Sequence, residues 1–268
     1  MFEVLICKTD DRAFFVSKTL EYFSYLLNGV RKVFIKPNIV SHEHYPTTTH
    51  PQTLHAVLEE LSGFELVVGD GPAIDLRSSK RIIENHPLTE VCREHGYEML
   101  NLYDYEMKKF KTRRGYKFKA SAIPLGCDIT ISLPVGKEHF VCTFTGALKN
   151  QFGLLSKLDR ILMHSGIKNI HRGIAELNTL FKPQLIIMDM VETLLEAQEL
   201  RHGGKPVKAG YMLAGTDPVA VDKAAIDILS KLGGRISRAG NGRVKHLELS
   251  VKLGVGNPDY TLVHVKHG

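Results

Sequence analysis

Apolar and polar positions along the chain follow two alternating periods. Residues 3–7 (EVLIC) form an apolar run of strand length. Residues 13–27 place Val16, Leu20, Phe23 and Leu27 on one helical face, and Asn28-Gly29 supplies a C-cap. A strand over 33–35 (VFI) ends at Lys36-Pro37-Asn38. Pro51, just after His50, is the residue type expected at a first helical position. Leu54, Val57, Leu58 and Leu61 continue as a helix stripe that Ser62-Gly63 stops. The strand 65–68 (ELVV) ends in Gly69-Asp70, a short helix falls near 88–95, and another strand at 97–102. Further strands are predicted at 128–133 (DITISL), 184–188 (QLIIM, ending at Asp189) and 211–214 (YMLA, ending at Gly215-Thr216-Asp217). Pro218 opens a helix with Val221, Ala225, Ile228 and Leu232 inward, closed by Gly233-Gly234. The tail reads as a helix over 244–253 and a strand over 260–265.

This alternation predicts an α/β fold, a mostly parallel sheet flanked by helices. No Pro/Ser-rich linker interrupts it, so residues 1–268 are expected to form a single α/β domain. Residues 134–182 are richer in helix and are read as a helical insertion or cap. Residues 105–120 alternate around Thr112-Arg113-Arg114-Gly115 and are read as a β-hairpin.

Composition removes several classes. Charged residues make up 24% and apolar residues 43%, which excludes a disordered chain. No short repeat runs through the chain, which excludes collagen and coiled-coil classes. Cys7, Cys92, Cys127 and Cys142 lie 85, 35 and 15 residues apart without a CxxC, so no iron–sulfur cluster motif, zinc ribbon or thioredoxin-type motif is present. Free thiols in a cytoplasmic setting are expected. No apolar stretch has the length of a signal core or a membrane span, so no membrane partner is expected.

The formal charge of +6 resolves into one segment. Residues 105–119 hold seven basic residues (Lys108, Lys109, Lys111, Arg113, Arg114, Lys117, Lys119) against Glu106. The remaining 28 basic and 28 acidic residues cancel. Nucleic-acid binding through this hairpin is a second reading. The favoured one is an edge hairpin protected by lysines, since packing explains Phe110, Tyr116 and Phe118 equally well.

Candidate chemistry gathers after the strands. Lys36, Asn38, Asp70, Lys137, His139, Asp189 and Asp217 each follow an apolar strand. Parallel strands would bring them to one sheet edge, where α/β folds bind ligands. Asp217 before Pro218 also suits a helix N-cap. The densest set is 134–164, with Lys137, His139, Lys149, Asn150, Arg160 and His164. Gly146 permits close backbone approach, and a helix start there favours an anion. Arg160 and His164 are four apart and share a helix face. The set suits a carboxylate or phosphate. His139 or His164 is the candidate acid–base group, and Asp70 or Asp189 the residue that orients a histidine or binds a metal. The thirteen histidines lack an HExxH spacing, so metal binding stays undecided. Walker A, GxSxG and a complete GxGxxG are absent.

The motifs KPNIV (36–40), THP (49–51), GD (69–70), SLPVGKEH (132–139), TGALKNQFG (145–153), the Arg160/His164 pair and AGTDPVAVD (214–222) resemble the family called domain of unknown function 362. The resemblance runs from about residue 33 to 225. It marks Lys36, Asn38, Lys137, His139, Lys149, Asn150, Arg160, His164 and Asp217, and implies no common reaction. Many members carry ferredoxin-like cysteine runs, which implies redox work. This chain lacks that module, so a redox role would need a separate iron–sulfur subunit. In the stretch 192–206, Glu196 or Glu199 is the counterpart of the family's acid. The expectation is an enzyme of unknown reaction with a pocket for an anionic small molecule; cofactor and oligomeric state stay open.

Overall fold

The computed structural model describes residues 2–73, 78–239 and 243–266. The first half runs β1 (Phe2–Lys8), α1 (Arg12–Tyr22), β2 (Lys32–Lys36), α2 (Pro51–Glu60), β3 (Glu65–Asp70), α3 (Ser79–Glu84), α4 (Pro87–Glu94) and β4 (Met99–Asn101). A hairpin follows, β5 (Met107–Lys111) and β6 (Lys117–Ser121), then β7 (Ile129–Ser132). A second hairpin, β8 (Lys137–His139) and β9 (Thr143–Thr145), leads into α5 (Ala147–Asn150), α6 (Lys157–His164) and α7 (Ile170–Asn178). The chain then forms β10 (Leu185–Leu195), β11 (Lys205–Gly215), α8 (Pro218–Leu229), α9 (Arg235–Arg238), α10 (Lys245–Lys252) and β12 (Tyr260–His264).

Eight strands make one sheet in the order β12-β1-β11-β10-β7-β2-β3-β4. All neighbours pair parallel except the two partners of β11, which run against it. The mostly parallel α/β sheet is therefore as expected. The period of two along β10 feeds two cores. Ile186, Met188 and Met190 pack with Leu148, Ile174, Val221 and Leu247 on one face, while Leu185, Ile187 and Val191 pack with Phe15, Leu54, Leu58 and Val91 on the other.

Local chemistry sets the helix starts. Asp11 caps α1 at the Phe14 amide, and Ser156 caps α6 at the Asp159 amide. The His50 imidazole accepts from the Gln52 amide, with Pro51 at the first helical position of α2. The helix expected over 13–27 ends at Tyr22 and passes into a 3₁₀ turn over 24–27. The segment 134–182 opens with the β8–β9 hairpin before its helices, and the hairpin expected near 105–120 is β5–β6. The strand expected to stop at Asp189 continues to Leu195, with a bulge between Met190 and Glu192. A carboxylate inside a strand looks like an end in sequence, but here Arg12, Tyr45 and Thr53 satisfy it from neighbouring elements. Among the described residues no helix is long and apolar enough to cross a membrane.

The reversed β11 decides the fate of Asp217. Its carboxyl end points to the sheet edge opposite those of β2 and β3, so Asp217 does not join the other strand-end residues. It caps α8 through the Val219 and Ala220 amides and pairs with Lys182 at 3.2 Å. Asp217→Ala is expected to cost about 1–2 kcal/mol in urea unfolding, the worth of a buried cap, and to leave ligand binding unchanged.

Candidate active site

A cavity of about 550 Å³ opens at the carboxyl ends of β2 and β3. Asn38, Ile39 and Val40 after β2, Asp70 and Gly71 at the end of β3, and Lys137 and His139 of β8 form part of its wall. Lys149, Asn150, Phe152 and Gly153 come from α5 and the turn after it, and Arg160 and His164 from α6. Gln198, Glu199 and His202 close it from the loop between β10 and β11.

An ion pair lies beneath this wall. Lys36 Nζ donates to Asp70 Oδ1 at 2.5 Å, and both residues are buried. Asp70 also accepts from the Ile39 and Gly71 amides, each at 2.6 Å. Burial pushes Lys36 down and Asp70 up, and each is partly offset by the other's charge. Gly153 allows this pair to sit against the backbone: a Cβ there would lie 2.1 Å from Asp70 Oδ1 and 2.9 Å from Lys36 Nζ.

The motif TGALKN holds Lys149 over that floor. Ala147 and Leu148 amides donate to Asp222 at 2.6 and 3.1 Å. The place expected to hold an anion at this helix start is thus filled by the chain's own carboxyl group. Gly146 admits it, since a Cβ there would meet Asp222 Oδ1 at 2.3 Å. Burial raises the Asp222 carboxyl to about 8, against the pull of the two amides and with a further push from Asp217. Asn150 Nδ2 donates to the Lys36 carbonyl at 3.1 Å and Ser132 Oγ at 2.9 Å, binding α5 to the ends of β2 and β7. Lys149 is left with its ammonium 5.0 Å from the centre of the Phe152 ring. Burial first, and Arg160 as well, lower its pKa.

Arg160 Nη1 donates to the Gly71 and Pro72 carbonyls at 2.7 and 2.8 Å and to the Tyr103 hydroxyl. Its Nε is buried with no hydrogen-bond partner among the described residues. Neither Lys149 nor Arg160 has a carboxylate within ion-pair distance among the described residues, whereas Asp70 is taken by Lys36, and Glu199 by Arg201 and His202. Lys137 donates to the Thr47 carbonyl, and burial lowers it to about 7.

The two candidate acid–base histidines are held differently. His139 Nδ1 accepts from the Val141 and Cys142 amides at 3.0 and 3.2 Å, so its ring proton sits on Nε2. Burial, with Lys149 adding repulsion, holds its pKa well below the usual histidine range. His164 Nδ1 instead donates to the Arg160 carbonyl at 2.8 Å, so any proton it exchanges is at Nε2.

Eight of the eleven residues singled out in the sequence line the cavity: Asn38, Asp70, Lys137, His139, Lys149, Asn150, Arg160 and His164. Lys36 supports it from below. Asp189 does not line it. It projects to the sheet face of α1 and α2, where Arg12 Nε reaches it at 2.6 Å and the Tyr45 hydroxyl at 2.6 Å. Sequence reasoning missed Gln198, His202, Phe152 and the supporting Asp222. Asp222 ends the quoted motif AGTDPVAVD, but no spacing signals a contact 75 residues away with Ala147.

Glu43 ties two loops together near the cavity. It accepts from the Leu200 and Arg201 amides at 2.7 and 2.8 Å and from the Thr47 hydroxyl at 2.6 Å. Burial works to raise its pKa, but these hydrogen bonds prevail and hold it below the usual carboxylate range. Its contribution is therefore present above the unfolded carboxylate pKa and lost as pH falls through the folded value. Glu43→Gln is expected to speed amide hydrogen exchange at 199–203 at neutral pH, and the wild type should approach the variant's rate pattern, after correction for intrinsic exchange, as Glu43 protonates.

Among the described residues no group of three or more His, Cys, Asp or Glu is placed to hold a metal ion. The fold and site define an α/β protein with a cation-lined cavity at the carboxyl ends of its parallel strands. Residues 33–227 match the family described as Domain of unknown function (DUF362), and the chain belongs to that family. Among solved structures it is similar to the lactate racemase apoprotein from Thermoanaerobacterium thermosaccharolyticum, with a TM-score of 0.57 and 13% identity over 85% of this chain and 57% of that one. At this identity the likeness is one of fold, and the chain spans little more than half the length of that protein. No curated protein matches.

Proposed function

We propose that this protein is an enzyme acting on a small organic anion, with a carboxylate favoured over a phosphate. One observation carries the reading: Lys149 and Arg160 line a single cavity without carboxylate partners among the described residues, beside two histidines. Arg160 is buried and Lys149 half-buried; a cation drawn out of water without a counter-ion is costly, and a bound anion removes that cost. Arg160 offers the planar donor geometry that suits a carboxylate. Ile39, Val40, Phe140 and Phe152 supply apolar wall for the rest of the ligand. The similar solved structure is titled a lactate racemase, whose named substrate is a small carboxylate, and that supports the class.

In this reading His139 donates its Nε2 proton in a hydrogen bond to a ligand oxygen. His164 exchanges a proton at Nε2, the general acid–base role. Thermal unfolding with lactate, pyruvate and inorganic phosphate tests the assignment. A ligand at about 100 times its Kd adds about 2.7 kcal/mol, which for a chain of this size is a rise of roughly 5–10 °C. A rise with the carboxylates supports the reading, and a rise with phosphate alone reassigns the ligand. No rise with any of the three at millimolar concentration overturns it.

A further inference from the structure

The β5–β6 hairpin carries a charge arrangement that the cavity does not use. Its strands pair in register, with Lys109 opposite Lys119, Phe110 opposite Phe118 and Lys111 opposite Lys117. Phe110 and Phe118 turn inward and pack against Phe181, at ring-centre separations of 5.0 and 6.4 Å. The alternation therefore puts Lys109, Lys111, Lys117 and Lys119 together on the outer face, all exposed. They form a grid of roughly 5 by 7 Å, set by cross-strand and along-strand spacing. Arg113 extends it at the turn and is also exposed. Among the described residues none of these five side chains has a carboxylate partner, since Glu106 pairs with Lys108.

Like charges directly opposite each other in a hairpin are destabilising. Protecting a sheet edge requires one lysine on a strand, not two facing lysine pairs, so edge protection does not account for the grid. We infer that this face is a docking surface for the phosphate backbone of a double-stranded nucleic acid. The chemistry of the face selects that occupant. Lysine is depleted in protein–protein interfaces, whereas nucleic-acid interfaces are strongly positive. The grid itself holds no aromatic side chain on which unpaired bases could stack. It also holds no apolar side chain to enter a lipid surface, and a basic patch alone anchors weakly to a membrane. Four lysines meeting backbone phosphates give affinity without base readout.

The test uses fluorescence anisotropy with a labelled 20-base-pair DNA duplex and an RNA duplex of the same length, at several salt concentrations. With four phosphates engaged on DNA, log K is expected to fall against log salt with a slope of about −3.6, or roughly 150-fold between 50 and 200 mM. The variant Lys109→Gln/Lys111→Gln/Lys117→Gln/Lys119→Gln should lose most of this binding while unfolding at the same or a higher temperature, because it removes repulsion. A control with the same charge change elsewhere, Lys8→Gln/Lys18→Gln/Lys80→Gln/Lys208→Gln, should bind as the wild type does. The DNA and RNA arms distinguish which duplex is preferred. Equal loss in both variants would reduce the effect to net charge and overturn the proposal. So would binding to vesicles containing phosphatidylserine, or to an acidic protein, with none to either duplex.

Discussion

Lys36→Met is expected to lower the free energy of unfolding by about 3–5 kcal/mol, the cost of stranding one member of a buried ion pair. Lys36 is fully enclosed and Asp70 nearly so, and Lys36 Nζ lies 2.5 Å from the carboxylate. Lys36→Met/Asp70→Asn should recover part of the loss, because Asn is uncharged and can still accept from the Ile39 or Gly71 amide. The loss also carries a pH signature. Without Lys36 the Asp70 carboxyl is raised further, so it binds a proton more readily folded than unfolded. The variant is then least impaired at low pH, and its defect grows as pH rises through the folded value. Urea unfolding at pH 5 and pH 8 measures both effects. A loss below about 1 kcal/mol at pH 8, far under the range for a broken buried pair, would show that Arg160 alone balances Asp70.

Arg160→Ala should weaken binding of a small carboxylate by about 10–150-fold, the worth of a hydrogen bond to a charged group. Because Arg160 also holds the Gly71 and Pro72 carbonyls, Arg160→Lys separates the roles of charge and shape. A lysine there keeps the charge and loses the fork, so an intermediate Kd is expected. Lys149→Met tests the second cation through pH. The lowered pKa of Lys149 means that its charge disappears at a lower pH than for an ordinary lysine. Wild-type affinity should decline as pH rises through that value, and the variant should lack this part of the decline, keeping only the part that Lys137 contributes near pH 7. Calorimetric titrations between pH 6 and 10 read this directly. Parallel curves for the two proteins would remove Lys149 from the anion site.

Most of the sheet and most of the cavity were legible in the residues. Asn38 and Asp70 after their strands, and six residues of the run from Lys137 to His164, line one cavity, because polar groups after apolar strands fall at one edge when the strands are parallel. The same rule failed at two carboxylates for different reasons. Asp217 follows a strand that runs the other way, and strand direction depends on which neighbours pair. Asp189 lies inside a strand and faces α1 and α2, a consequence of register rather than of local pattern. The supporting role of Asp222 was equally hidden, since the approach of α8 to α5 is a packing event between distant segments.

The eight strands of the main sheet, the basic hairpin and the identities of the candidate cations followed from the sequence alone. Periodicity, turn residues and side-chain charge are local properties, which a linear chain carries openly. The direction of β11, the pairing of Lys36 with Asp70, and the absence of an acid partner for Lys149 and Arg160 among the described residues were decided only by the tertiary structure. Each depends on which residues, tens to hundreds of positions apart, share a face, and on how much water their packing excludes.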